Sequence, residues 1–201
     1  AGRGLMADGY LIRPLVFLVQ VGFGLYTLVI MLRFLLQVMR ADFHNPVSQF
    51  IVRVTAPLLR PMRRIVPAAG RYDTSSLLLA WILKTVELSI IGALIGHGSA
   101  FPATIAWAIP ALLSLVINIF LFAILIVVIL SWISPQRYNP ALQILHRLTA
   151  PLLEPARRLV PAIGGLDLSP MLVMVGLYLV EMLVVPPVMQ LVGAPGWVSA
   201  F

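Results

Sequence analysis

Four long apolar runs divide the chain. The first, Pro14 to Val38, is broken only by Arg33, and the second, Leu77 to Ile95, contains Lys84 and Glu87. The third, Trp107 to Ile133, lies in a stretch from Leu88 to Gln136 without Asp, Glu, Lys or Arg, and the fourth, Met171 to Val192, contains Glu181. Crossing about 30 Å of hydrocarbon takes roughly 20 mostly apolar helical residues, so each run predicts a transmembrane helix. The first is too long for the core of a cleavable signal peptide, and no small-residue cleavage site follows it, so it is expected to be retained. Trp107 and Trp132 bracket the third run, while Trp81 and Trp197 fall near ends of others, where amphipathic rings favour the headgroup level.

Between the first and second runs, and again between the third and fourth, the period changes. Asn45-Pro46 and Asn139-Pro140 pair an N-cap acceptor with a residue suited to the first helical turn. Val47, Phe50, Ile51 and Val54 then recur at helical spacing, as do Ala141, Ile144, Leu145 and Leu148, predicting one apolar face. Arg53, or Arg147, falls opposite, with Arg60 and the pairs Arg63-Arg64 and Arg157-Arg158 further on. Pro57 and Pro61, or Pro151 and Pro155, remove backbone donors and predict a kink or break, giving two short pieces over about 46–67 and 140–161. An apolar stripe backed by arginines is the pattern of a helix lying in the headgroup region; two amphipathic helices packed on each other as a cytoplasmic cap is the alternative. Gly70 and Gly164 suggest turns, followed by Asp73 and Asp167, with Ser75 and Ser169 placed to cap the next spans.

These two segments are copies of one unit. A shift of 94 positions superimposes Asn45–Leu88 on Asn139–Met182 without a gap, with half of the positions identical. Each unit carries two spans, an even number, so the copies enter the membrane in the same direction and form parallel repeats. The expected fold is an all-α polytopic membrane protein with four transmembrane helices in two parallel repeats, each holding a kinked amphipathic interfacial helix between its spans. The expected divisions are an N-terminal segment 1–13, a first repeat 14–95, a connector 96–106, a second repeat 107–192 and a tail 193–201.

Composition agrees and charge adds orientation. The chain is 61% hydrophobic and 10% charged, with no cysteine and a mean hydropathy of +1.02, which excludes an ordinary soluble domain, a disordered chain and a cysteine scaffold. Thirteen of its fourteen cations are arginine, against seven acids. Arg40, Arg53, Arg60, Arg63, Arg64 and Arg71 lie in the first inter-span segment, and Arg137, Arg147, Arg157 and Arg158 in the equivalent one, whereas His97–Ala106 and the tail from Gly193 have none. Positively charged short loops stay cytoplasmic, so both termini are expected outside the cytoplasm of a bacterial inner membrane. Arg3 and Arg13 oppose this orientation weakly.

The doubled Asn-Pro start, the segment TAPLLRPMRRIVPA at Thr55–Ala68 against TAPLLEPARRLVPA at Thr149–Ala162, the Gly and Asp turn and the hydrophobic span after it resemble the YggT/YlmG family of small integral membrane proteins. The resemblance covers most of the chain. It implies a bacterial cytoplasmic-membrane or plastid location and roles linked to osmotic tolerance and ion uptake, cell division, or maturation of a haem protein. It implies no catalytic residues and no cofactor.

Ionisable groups at membrane depth cost roughly 2.5–3.5 kcal/mol on insertion scales, which makes them functional candidates. Arg33, Lys84, Glu87 and Glu181 sum to zero charge, and the two glutamates are equivalent under the 94-residue shift. In one reading the carboxylates line a polar crevice between the repeats and pass a cation or proton. In the other, Lys84 pairs with Glu87 one turn away, and Arg33 pairs with Glu181 or snorkels. Gly92 and Gly96 form a small-xxx-small pair. His97-Gly98-Ser99 lacks an acid partner, His44 and His146 lack metal-ligand spacing, and no phosphate-binding glycine loop, HExxH or GxSxG pattern occurs, so no enzyme is expected. Anionic lipid headgroups are nearer to the arginines than nucleic acid would be. The expected role is a scaffold that holds the cytoplasmic leaflet and binds a membrane-protein partner, with homo-oligomers possible; the alternative is a subunit of a permeation pathway through Glu87 and Glu181. Single thiols in place of Ser99 and Arg71 are predicted to react with an impermeant maleimide from opposite faces of the membrane, and reaction of both from one face would contradict this topology.

Overall fold

The computed structural model describes residues 3–41, 43–66, 73–96, 101–133, 139–160 and 167–200. The expected turns at Gly70 and Gly164, and Arg71, His97, Ser99 and Arg137, lie outside these residues. Six α-helices follow in order: α1 (Arg3–Val38), α2 (Pro46–Ile65), α3 (Thr74–Leu94), α4 (Phe101–Ile133), α5 (Pro140–Leu159) and α6 (Ser169–Leu191), before a 3₁₀ turn at Gly196–Ala200. Among the described residues four helices are long and apolar enough to cross a membrane, α1, α3, α4 and α6. They begin earlier than the apolar runs alone predict, at Arg3, Thr74, Phe101 and Ser169.

The spans stand in the order α1, α3, α4, α6, each packed on the next, so α3 and α4 are central and α1 and α6 lie at the edges. Apolar burial gives no net drive between helices in lipid, so packing relies on close backbone approach. Ala80, Ala108, Ala111, Ala123 and Gly92 are accordingly buried at the centre. Gly96 does not join Gly92 in a packing motif. It is exposed and adopts φ +87, a left-handed conformation that ends α3. Arg40 takes the same role after α1 at φ 53, with Ala41 N–H donating to the Leu36 carbonyl at 2.9 Å; glycine is the usual occupant of such a position.

Helices α2 and α5 lie across the same end of the span bundle and touch each other. Only repeats that enter in parallel bring both connectors to one end. Asn45 and Asn139 cap these helices, their Oδ1 atoms accepting from Val47 and Ala141 N–H at 2.9 Å. Asn45 is buried and also donates through Nδ2 to the Pro140 carbonyl at 2.8 Å, joining the two repeats, whereas Asn139 is exposed.

Two expectations need correction here. Each connector is one helix of 20 residues, and neither breaks into two pieces at its prolines. Pro57 and Pro61, like Pro151 and Pro155, fall on the exposed side, so the carbonyls that lose an i+4 donor face the surroundings while hydrogen bonds on the packed side survive. The packed face is also rotated from the predicted one. Ser48, Ile51, Thr55 and Leu59 are buried in α2, whereas Phe50 is 63% exposed; in α5 the buried set is Ile144, Leu148, Thr149, Leu153 and Ala156. The small polar residues Ser48, Thr55 and Thr149 turn inward, and the two threonine hydroxyls find partners within the helix while Ser48 Oγ is buried without one among the described residues. Thr55 and Thr149 donate to the Ile51 and Leu145 carbonyls at 2.7 and 2.9 Å.

Asn45→Ala is expected to lower the thermal midpoint in detergent, followed by circular dichroism, more than Asn139→Ala. Both lose a cap worth about 1 kcal/mol, and Asn45 loses in addition an inter-repeat hydrogen bond worth about 1 kcal/mol. Equal losses would contradict the bridging role.

Candidate functional site

The polar chemistry concentrates where each connector meets its spans. In the first repeat Arg33, 7% exposed in α1, donates through Nη1 to Thr55 Oγ1 at 2.6 Å and to the Val52 carbonyl at 3.2 Å. Its Nε stands 3.9 Å from Asp73 Oδ2. Asp73, at the start of α3 and fully buried, accepts on the same oxygen from Arg63 of α2 and, at 2.8 Å, from Ser76 Oγ. One carboxylate thus gathers cations from two helices at the head of a third. Ser75 does not cap α3; it sits inside the helix and donates to the Val66 carbonyl at 2.6 Å, fastening the end of α2. Tyr26 of α1 adds a hydrogen bond to the Val54 carbonyl at 3.2 Å.

The second repeat keeps the hook but not the buried cation. Arg157 Nε donates to Asp167 Oδ2 at 2.9 Å, the equivalent of Arg63 and Asp73, but both side chains are substantially exposed, 50% and 38%. Val127 stands where Arg33 would be. Asp167 Oδ1 accepts from Ser169 N–H at 3.0 Å, so the aspartate, not Ser169, satisfies the start of α6. Burial pushes the Asp73 carboxyl up, but the hydrogen bonds from Arg63 and Ser76, with the charges of Arg63 and Arg33, outweigh it and hold the group below the usual carboxylate range. At Asp167 a smaller burial effect is likewise outweighed by the bonds from Ser169 and Arg157.

Deeper in the spans the two equivalent glutamates part company. Lys84 Nζ lies 3.1 Å from both oxygens of Glu87, and both side chains are nearly inaccessible. Glu181 is half-buried between α6 and α4. Its Oε1 accepts from Ser114 Oγ at 2.6 Å and from Asn118 Nδ2 at 3.3 Å, and Asn118 also donates to the Ser114 carbonyl at 3.0 Å. Arg33 therefore pairs with Asp73 and Thr55, not with Glu181, because its helix lies at the opposite edge of the bundle. Ser114 and Asn118 escaped the sequence reading; the one signal was their i, i+4 spacing in an otherwise apolar helix. Near one end of the bundle, Trp107 donates to the Val192 carbonyl at 3.2 Å and meets Trp197 edge to face at 5.8 Å.

On the connectors, Arg53, Arg60 and Arg64 are exposed along α2, and Arg147 and Arg158 along α5. Arg53 and Arg60 border a groove with Gln49, Val52 and Pro57. The matching groove on α5 replaces Arg60 by Glu154 and adds His146, whose imidazole burial and the neighbouring Arg157 keep below its ordinary range. Among the described residues no cluster of His, Asp or Glu could hold a metal ion.

The sequence profile of the CCB3/YggT family matches residues 12–94 and again 106–188, two windows offset by the repeat length. The chain belongs to the CCB3/YggT family. An uncharacterized protein of Pseudomonas aeruginosa is 44% identical over 188 residues, covering 92% of this chain and 95% of its own length. The protein named YggT of Escherichia coli K12 is 40% identical over 170 residues, 84% of this chain and 87% of that one, and a protein of Vibrio alginolyticus is 40% identical over 163 residues, 80% and 88%. No solved structure matches. This CCB3/YggT member is a multi-pass membrane protein.

Asp73→Asn is expected to destabilise the protein by about 3 kcal/mol, since removing one partner strands Arg33 in a buried site; Asp167→Asn, between exposed groups, should cost far less. A depressed carboxylate contributes stability that is complete above its unfolded pKa, about 3.9, and is lost as pH falls through the lower folded value. Thermal midpoints of the wild type should therefore drop in strong acid, and those of Asp73→Asn should drop less. A parallel decline in both proteins would contradict the assignment.

Proposed function

We propose that the protein is a scaffold of the bacterial cytoplasmic membrane that holds the inner leaflet through α2 and α5 and receives other membrane proteins along its spans, with both termini outside. The observation that carries this reading is the division of labour among the arginines. Arg33, Arg63 and Arg157 are engaged with Asp73 and Asp167, and Arg53, Arg60, Arg64, Arg147 and Arg158 are presented outward on two helices lying side by side. Apolar Phe50, Leu58 and Leu159 are exposed on the same helices, 63%, 43% and 76%, which suits a surface that sits partly among acyl chains and partly among phosphates. Anionic headgroups supply those phosphates, each nearby cation contributing about 1 kcal/mol. The osmotic and division-related roles implied by the family resemblance fit a protein that organises membrane neighbours.

Native mass spectrometry of the detergent-solubilised protein should show retained phosphatidylglycerol over phosphatidylcholine. Changing Arg53, Arg60 and Arg64 together to Gln should weaken phosphatidylglycerol binding roughly a hundredfold, from about 1 kcal/mol per cation, and added salt should do likewise. Arg63→Gln should instead lower the thermal midpoint. Equal retention of the two lipids by the wild type would overturn the leaflet-holding role.

A further inference from the structure

The duplication lets each intramembrane acid be compared with its twin. Glu87 has its cation on its own helix, at Lys84. The equivalent of Lys84 is Tyr178, and the equivalent of Arg33 is Val127, so the second repeat lacks both intramembrane cations but has the carboxylate. Among the described residues Glu181 has hydrogen-bond donors, Ser114 and Asn118, but no cationic neighbour.

Its position says where a cation could come from. Glu181 is the thirteenth of the 23 residues of α6, close to the middle of the span. It faces a cleft of roughly 420 Å³ lined with Pro110, Ala111, Tyr178, Met182 and Val185. Tyr178 and Met182 at its mouth are 59% and 57% exposed, so the cleft opens sideways, along the outer flank of the least buried span. Of α6 only Ser169, Pro170, Val185 and Met189 are buried, leaving Met171, Val175, Tyr178 and Met182 as a mostly apolar exposed track on the side of the helix next to the acid. A track of that length is the surface a second helix covers, and a carboxylate at hydrocarbon depth is costly until it is paired. Another copy of this chain offers no intramembrane cation, because Arg33 and Lys84 are buried, 7% and 4% exposed, and engaged with Asp73 and Glu87.

We propose that the α6 flank is a docking site for a membrane-spanning helix of another protein that carries a Lys or Arg at midplane depth, with Glu181 as its counter-charge and Ser114 and Asn118 holding the carboxylate towards it. This deepens the scaffold reading by naming the surface and the chemistry of the partner.

The chain lacks cysteine, so a donor dye can be placed at Leu191→Cys on the α6 edge or at Leu18→Cys on the α1 edge, both of which are exposed. Full-length protein in phosphatidylcholine vesicles is titrated with acceptor-labelled Leu/Ala helices of about 20 residues, identical except for Lys or Leu at the centre. The Lys helix should associate with the α6 edge at least tenfold more tightly than the Leu helix. Glu181→Gln, which keeps the size of the side chain and its hydrogen bonds, should abolish that preference while leaving phosphatidylglycerol retention unchanged. Equal association of the two helices, or a preference that persists in Glu181→Gln, overturns the proposal. So does energy transfer between differently labelled copies at α6 that Glu181→Gln removes, because a second copy would then cover this flank. Helix association at the α1 edge alone would leave the scaffold reading standing and refute this inference, whereas no association at either edge would count against both.

Discussion

A polar group in hydrocarbon has to be satisfied by the protein itself, and this one requirement organises the molecule. Arg33 shows it most fully. A guanidinium in the first span is reached by a threonine hydroxyl and a backbone carbonyl from the connector and by an aspartate at the head of the next span. Those contacts fix α2 beneath α1 and α3. The connector is consequently a built part of the bundle, held on its inner side by ion pairs and hydrogen bonds, which leaves its outer side to carry exposed arginines.

The two repeats share this plan and execute it differently. Asp73 is sealed and serves two arginines, while Asp167 is open and serves one. Asn45 reaches across to the other repeat, while Asn139, exposed, caps its own helix. Glu87 is closed by a lysine, and Glu181 is left with neutral donors in a lateral cleft. In both comparisons of acids the first copy carries the enclosed version and the second the open one. Duplication permits that division, since one copy suffices to hold the shared end of the bundle together.

Much of the architecture was legible because hydrocarbon filters residue types so strictly. Long apolar runs located all four spans, and the 94-residue shift required parallel halves whose connectors meet. What escaped depended on direction about a helix axis. Phe50 and Ile51 are adjacent and both apolar, yet only Ile51 is packed inward, on the side it shares with Ser48 and with Thr55, whose hydroxyl bonds within the helix. The prolines read as breaks because spacing does not reveal that all four fall on the exposed side. Charge balance alone could not choose between Asp73 and Glu181 as the partner of Arg33; which helices are neighbours decides it. Arg63 and Arg157 read as headgroup ligands like the other arginines, and the acids ten residues onward that engage them read as turns.

The closure of charges in the first half bears on how the protein is made. Arg33 finds Asp73, and Lys84 finds Glu87, without any residue beyond Leu94. Each unpaired ion would oppose insertion by roughly 2.5–3.5 kcal/mol, and in the first half each of these ions is neutralised by a partner within the same half. The second half therefore meets a first half whose charges are already closed, and Asn45 joins the two through the Pro140 carbonyl.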